Sequence, residues 1–264
     1  MFRQRLLTAL VLVPLVLMSL FYGNMILLGV VVLFLVGVGG WEWCQLVPIH
    51  TFFGKLIFLL LLMLMVVFSW YCFSSWLMMG LGLWLLMMIS VFTYPSSTVL
   101  WGHRLGVALL CLVFLPLFAT SLAGIYQWGN GKPMILYILC LVWATDTGAY
   151  LGGKGLGRTK LIPKVSPGKT VEGALSGLLL ALVVAFIGSF YFTPHSLVLW
   201  YAVATSTALI SMVGDLFISM LKRRSQLKDT GHLFPGHGGV LDRIDSLISA
   251  MPLFYFCISF GSAL

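Results

Sequence analysis

Long apolar runs without an acidic or basic residue set the pattern of this chain: 6–41, 56–103, 105–131, 173–214 and 246–264 contain no Asp, Glu, Lys or Arg. A helix crosses the hydrocarbon core of a bilayer in about 20 apolar residues, so several of these runs hold two crossings. Turn-forming residues divide them at Tyr22-Gly23-Asn24, Pro48 to Thr51, Ser74-Ser75, Tyr94 to Gly102, Trp128 to Pro133, Gly152 to Thr170, Thr193 to His195 and Lys222 to Asp245. The pattern predicts about nine transmembrane helices, near 5–22, 25–46, 54–71, 75–93, 104–125, 133–151, 172–193, 197–221 and 246–263. The expected fold is therefore all-α, a polytopic integral membrane protein.

Composition agrees. The chain is 61% hydrophobic and 8% charged, with a mean hydropathy of +1.08, which excludes an ordinary soluble domain. Basic residues in short loops mark the cytoplasmic side. With nine crossings and a cytoplasmic N-terminus, fourteen of the fifteen Lys and Arg fall on that side, and Lys132 alone falls on the other. Arg3 and Arg5 precede the first apolar run, yet no small-residue cleavage pattern follows it, so it reads as a membrane anchor rather than a signal peptide. The net charge of +8 lies in loops beside a bilayer, which points to lipid headgroups and nucleotide phosphates, not to nucleic acid. Cys44, Cys72, Cys111, Cys140 and Cys257 have no paired spacing and read as buried structural thiols.

The chain divides into an N-terminal lipid-embedded scaffold, 1–125, and a C-terminal catalytic region, 126–264, with cytoplasmic loops 152–170 and 222–245. In the first part the one acidic residue is Glu42, between Trp41 and Trp43. Its place near the interface favours a structural role, such as pairing with a loop cation. The other six acidic residues fall between Asp146 and Asp245.

Asp146 lies within an apolar helix that leads to a glycine- and lysine-rich loop and then to Ser166, Lys169, Thr170 and Glu172. Thr170 reads plainly as a helix cap with Glu172 complementing the helix dipole. A helix N-terminus preceded by Gly168 and Lys169 is equally an anion site. It is not a P-loop, because the glycine required five positions before Gly168 is Pro163. Further on, Asp215, Ser219 and Lys222 are spaced to share one helix face, and Lys222 could pair with Asp215 as a structural link. Asp242 and Asp245 flank Arg243. Carboxylates converging from two helices are what a hard cation such as Mg²⁺ requires. His237, among the glycines of Pro235-Gly236-His237-Gly238-Gly239, is a candidate ligand contact, against the plain reading of a turn.

Ser219-x-x-Lys222-Arg223, Lys228-Asp229, Pro235-Gly236-His237-Gly238-Gly239 and Asp242-Arg243-x-Asp245 together resemble the signature of the phosphatidate cytidylyltransferase, or CDP-diacylglycerol synthase, family. Asp146, the glycine-lysine loop, Ser166-Pro167-x-Lys169-Thr170 and Glu172-Gly173 extend the resemblance over the C-terminal half. Many members carry an acidic residue directly before the signature serine, where this chain has Ile218.

The resemblance implies transfer of CMP from CTP to phosphatidic acid, giving CDP-diacylglycerol and pyrophosphate, with Mg²⁺ and room for a second cation. It implies a multi-pass protein of a bacterial-type inner membrane, a site facing the cytoplasm, and a homodimer. Asp215 and Asp242 would hold the metal, with Asp245 and Asp146 as further ligands. Ser166, Lys169 and Thr170 would cradle the triphosphate. Lys222, Arg223, Lys228 and Arg243 would neutralise phosphates, with Ser219, His237, Gly238 and Gly239 completing substrate contacts. Two rivals stand beside this reading. One is CTP-dependent transfer to a lipid alcohol, which would need a base such as His237 or a carboxylate. The other is a transporter using intramembrane Asp and Lys, against which stands the absence of internal repeats.

Overall fold

The computed structural model describes residues 14, 16–231 and 238–261. Within them, eight helices are long and apolar enough to span a bilayer: α1 (Met25–Leu46), α2 (Phe52–Tyr71), α3 (Phe73–Phe92), α4 (Arg104–Tyr126), α5 (Gly131–Leu156), α6 (Val171–Phe192), α7 (Leu197–Arg224) and α8 (Leu241–Gly261). Residues 16–22 are also helical. The rest of the first expected crossing lies outside the described residues, as do Arg3 and Arg5. The chain is a multi-pass membrane protein.

Local chemistry starts half of these helices. The first turn of a helix has amides without intrahelical partners, and Ser, Thr or Asn just before it accepts from one of them. Asn24 does this for α1, taking Leu27 N at 2.9 Å, and Thr51 for α2, taking Gly54 N at 3.2 Å. Thr170 takes Gly173 N at 3.1 Å for α6, and Ser196 takes Leu199 N at 3.3 Å for α7.

α4 is the central helix, with 67% of its apolar span buried against 17% for α2 and α6. The outer faces of those two, with Leu60, Leu64, Leu179 and Val183 exposed, suit lipid and not water. At the centre Trp84 stacks on Phe114 at 4.2 Å, and Phe217 meets both rings edge-on at 5.2 and 5.5 Å. Such geometry follows the ring quadrupoles, and it joins α3, α4 and α7. α1 is tied in by Trp43 Nε1, which donates to Val107 O at 3.0 Å.

α5 and α6 meet along a seam of small residues. A Cβ on Gly177 would lie 2.5 Å from Thr145 O, and one on Gly148 2.7 Å from Ser176 O. Glycine there lets two backbones approach closely where lipid supplies no hydrophobic drive for association.

The ends of the bundle sort as the charge pattern predicts. Arg224 Nη1 donates to Leu46 O at 2.9 Å, joining the ends of α7 and α1, and Arg223 Nε donates to Val165 O at 3.1 Å. Lys132 sits at the opposite end, its ammonium on the carbonyls of Phe21 and Gly23 at 3.0 and 3.1 Å. Lys132 therefore serves a helix C-terminus, where free carbonyls favour it.

Three boundaries differ from expectation. α5 continues past 151 to Leu156, α7 past 221 to Arg224, and α8 begins at Leu241 and not at 246. The charges that closed each apolar window lie on further helical turns: at about 1.5 Å per residue, the 28-residue α7 is longer than a hydrocarbon core of about 30 Å. The loop 152–170 also holds a small antiparallel hairpin, β1 (Lys160–Ile162) with β2 (Ser166–Thr170), pairing Lys160 with Thr170. The break expected at Ser74-Ser75 falls at Cys72, which is exposed and not buried. Cys44 and Cys111 are buried, and Cys140 and Cys257 lie between.

Candidate active site

Two clusters of charge occupy the end of the bundle where the hairpin sits. The first surrounds a cavity of about 470 Å³ lined by Asp146, Ser166, Gly168, Lys169, Thr170 and Asp215, among others. α5 supplies Asp146, β2 supplies Ser166 to Thr170, and α7 supplies Asp215. The glycine seam brings these elements together, because its close approach sets Asp146 on α5 beside the start of α6. Lys169 Nζ lies 2.6 Å from Asp215 Oδ2, with both side chains about a third exposed. Ser219 Oγ donates to the other oxygen of Asp215 at 3.4 Å. Asp146, Asp215 and Asp245 lie within electrostatic reach of one another and of Lys169, and Arg243 within reach of Asp146.

Glu172 does more than complement a helix dipole. Its carboxylate accepts from Arg158 N at 3.1 Å and Thr159 N at 3.0 Å, so it fastens the segment leaving α5 onto the start of α6. Thr170 is buried and caps that helix, its hydroxyl committed to Gly173 N.

The second cluster is deeper. Lys222 Nζ lies 2.7 Å from Asp242 Oδ1, with side chains 13% and 5% exposed. Asp242 Oδ2 accepts from Thr230 N at 2.9 Å, Thr230 Oγ1 at 3.0 Å and Gly239 N at 3.1 Å. Lys222 thus pairs with Asp242 and not with Asp215, contrary to the link that its spacing allowed. Seven residues separate Asp215 and Lys222 on α7, and three separate Asp245 and Asp242 on α8. The two helices accordingly stack the clusters along one seam, Asp215 beside Asp245 and Lys222 beside Asp242.

The described ends of the connection between α7 and α8, at Thr230 and at Gly238 and Gly239, lie against these groups. Gly238 has φ +78°, a left-handed conformation natural to glycine, and a Cβ there would come 2.7 Å from Asp242 Oδ2. Lys228 and Asp229 are exposed and belong to neither ion pair. Arg223 is committed in part to Val165 O. His237 lies outside the described residues. Ile218 is wholly buried and faces packing, not the cavity.

Among the described residues, no three carboxylate, imidazole or thiolate groups already converge as a metal cage. The donors present still suit a hard cation, which is commonly held by one or two carboxylates with substrate phosphates completing its shell. Asp215 and Asp242 each hold a lysine ammonium at ion-pair distance.

Sequence reasoning missed one member of the second cluster. Glu42 of α1 is 4% exposed and accepts from Val240 N at 3.0 Å, Leu241 N at 2.8 Å and Thr230 Oγ1 at 3.3 Å. Its partners are backbone amides and a hydroxyl, not the loop cation expected. An acidic residue late in a membrane helix was the only available signal.

The model of the cytidylyltransferase family matches residues 3–260. A phosphatidate cytidylyltransferase of Pseudomonas aeruginosa is 38% identical over 262 residues, which is 96% of each chain. One of Haemophilus influenzae is 37% identical over 305 aligned positions, covering 97% of this chain and 98% of the relative. One of Bacillus subtilis is 41% identical over 133 residues, about half of each.

Proposed function

This chain belongs to the cytidylyltransferase family, and we propose from that premise that it is a phosphatidate cytidylyltransferase, transferring CMP from CTP to phosphatidic acid to give CDP-diacylglycerol and pyrophosphate in phospholipid synthesis. The observation that carries the reading is the match over nearly the whole length of two proteins of that name. The clustered carboxylates and lysines supply what the reaction needs.

A phosphate oxygen of phosphatidate attacks the α-phosphorus of CTP, a new P–O bond forms, and the bond to the β-phosphate breaks with its electron pair leaving on pyrophosphate. The attacking phosphomonoester is already anionic, so little base catalysis is required. What must be supplied is positive charge and alignment for two anions that repel. Lys169, beside the start of α6 and the backbone of Gly168, would meet the triphosphate together with Ser166, with which it lines one cavity. Lys222, Arg243 and the exposed Lys228 and Arg223 would neutralise the phosphatidate headgroup and the departing pyrophosphate. Ser219 holds Asp215, and Gly238 and Gly239 let the connection close over Asp242.

Magnesium suits the first cluster: Asp215 would hold it, with Asp146 and Asp245 as further ligands, whereas Asp242, expected as a ligand, has both oxygens taken by Lys222, Thr230 and Gly239. When bound it supplies charge neutralisation on the triphosphate and the leaving pyrophosphate. The site faces the cytoplasm on this reading, since it shares its end of the bundle with nearly all the basic residues. The protein would work as a homodimer in a bacterial inner membrane, which its mass in detergent checks.

The product is the test. Purified protein given CTP, phosphatidic acid and Mg²⁺ should form one CDP-diacylglycerol, identified by mass, for each pyrophosphate released. A phosphorylated lipid alcohol formed with CDP as by-product would overturn the proposal.

A further inference from the structure

Glu42 is the one acidic residue outside the C-terminal half, and the transfer reaction as derived above does not use it. It is nonetheless buried and fully engaged. Its two oxygens take Val240 N and Leu241 N, amides 198 and 199 residues away along the chain. These belong to the first turn of α8, where unpaired amides and the helix dipole together make an anion site. At α8 the anion is built in.

Folding alone does not demand this arrangement. α1, α2, α6 and α7 begin on a neighbouring Asn, Thr or Ser, and a local residue of that kind would also satisfy α8. Reaching from α1 instead fixes α8, and the segment before it, relative to the scaffold. The reach is reinforced one turn along α1, where Gln45 Nε2 donates to Thr230 O at 2.9 Å. Thr230 is consequently held at three points: its carbonyl by Gln45, its amide by Asp242, and its hydroxyl between Glu42 and Asp242. A hydroxyl has a single proton, so its 3.0 Å contact to Asp242 and its 3.3 Å contact to Glu42 are alternatives. Both carboxylates share it. A side chain at Gly231 or Gly239 would collide with the Glu42 carboxylate, which gives those glycines a reason besides turn geometry.

We propose that Glu42 is a positioning residue for the transfer reaction: a fixed anion at the start of α8 that holds Thr230, Gly239 and Asp242 so that Asp242 and Lys222 face the substrates. The N-terminal half is then part of the catalytic apparatus and not only its lipid-embedded support. A second consequence is that substrate phosphate does not bind at the start of α8, because that position is taken. The start of α6, beside Lys169, remains a candidate for it.

The proposal rests on the cytidylyltransferase reading, and two readouts separate them. Glu42→Gln keeps the size of the side chain, but turns an NH₂ toward amides that need an acceptor. In purified full-length protein, kcat for CDP-diacylglycerol formation should fall about 100-fold, the scale of a misplacement near 1 Å, while the KM for CTP stays within about 3-fold. Hydrogen exchange should speed up at Thr230, Val240 and Leu241 and remain unchanged in the middle of α4 and α7. Glu42→Asp, with the charge kept and the reach shortened, should recover part of kcat. Wild-type kcat in Glu42→Gln overturns the positioning role, and so does loss of exchange protection spread through the whole bundle. Should Glu42→Gln not accumulate in folded form, Glu42→Asp takes its place: a lowered kcat with faster exchange confined to the same three amides supports the role, and wild-type kcat or bundle-wide loss of protection overturns it. If the wild-type protein transfers nothing to phosphatidate, the functional reading fails, and the exchange pattern still decides whether Glu42 fixes the segment.

Discussion

Two lysine–carboxylate pairs of nearly equal length should respond very differently when broken. Lys169 to Asp215 spans 2.6 Å and Lys222 to Asp242 spans 2.7 Å, but the first pair is 29% and 31% exposed and the second 13% and 5%. Solvent screens the first pair, and exposed pairs contribute about 0–1 kcal/mol. Removing one partner of a buried pair strands the other charge, at about 3–5 kcal/mol. Lys222 is slightly open, so the lower end applies. Lys222→Met should therefore cost about 3 kcal/mol, a drop in the unfolding midpoint of about 6–12 °C for a chain of this size. Lys169→Met should shift it by under about 4 °C on the same scale. Both variants should lose transfer activity, because on the proposed reading both ammonium groups meet the reacting phosphates. Thermal unfolding of the purified proteins in one detergent, with liponucleotide formation measured at a temperature where both are folded, makes the comparison. Equal destabilisation by the two variants would refute the argument from burial. Substantial activity in Lys169→Met would remove that lysine from the triphosphate site.

Other predictions follow from the same geometry. Gly177→Val places side-chain carbon against Thr145 O, and overpacking of the α5–α6 seam should cost about 1–3 kcal/mol, seen as a lower midpoint with activity reduced as Asp146 is displaced. Gly238→Ala forces a side chain into a left-handed conformation against Asp242; about 1–2 kcal/mol of strain should leave the protein folded and slow transfer, and an unchanged rate would place that turn away from the chemistry. Phe217→Ala empties the centre of the aromatic cluster and should destabilise by about 3–5 kcal/mol, making it the variant in which loss of activity follows loss of fold. Chelation of divalent ions should stop transfer and added Mg²⁺ restore it, while activity that persists in excess chelator would remove the metal from the proposal.

The transmembrane architecture was legible because lipid imposes it: a spanning segment must satisfy its own backbone and expose apolar side chains, and both demands show as long uncharged runs. The helix ends were less legible, because charge marks where lipid ends and not where a helix does. α7 and α8 carry Lys222, Arg223, Asp242 and Asp245 on helical turns that a hydropathy window excludes. The hairpin of 160–170 left no pattern, since five residues of Ser, Pro, Gly, Lys and Thr are too few and too polar to show alternation. The candidate site was legible as a set of residues, through dense charge in a greasy chain. Its pairing was not, because helical spacing gives the face on which Lys222 lies and not the partner across the seam. Glu42 was legible only as an oddity, its partners lying almost two hundred residues away.

The most direct test of the central claim follows the label. Protein in detergent with phosphatidic acid and Mg²⁺ is given CTP labelled at the α-phosphate or at the γ-phosphate, with Asp215→Asn alongside. The account predicts that α-label enters the lipid, that γ-label leaves as pyrophosphate, and that folded Asp215→Asn transfers neither. Lipid labelled from the γ-position, or undiminished α-transfer by Asp215→Asn, would contradict it.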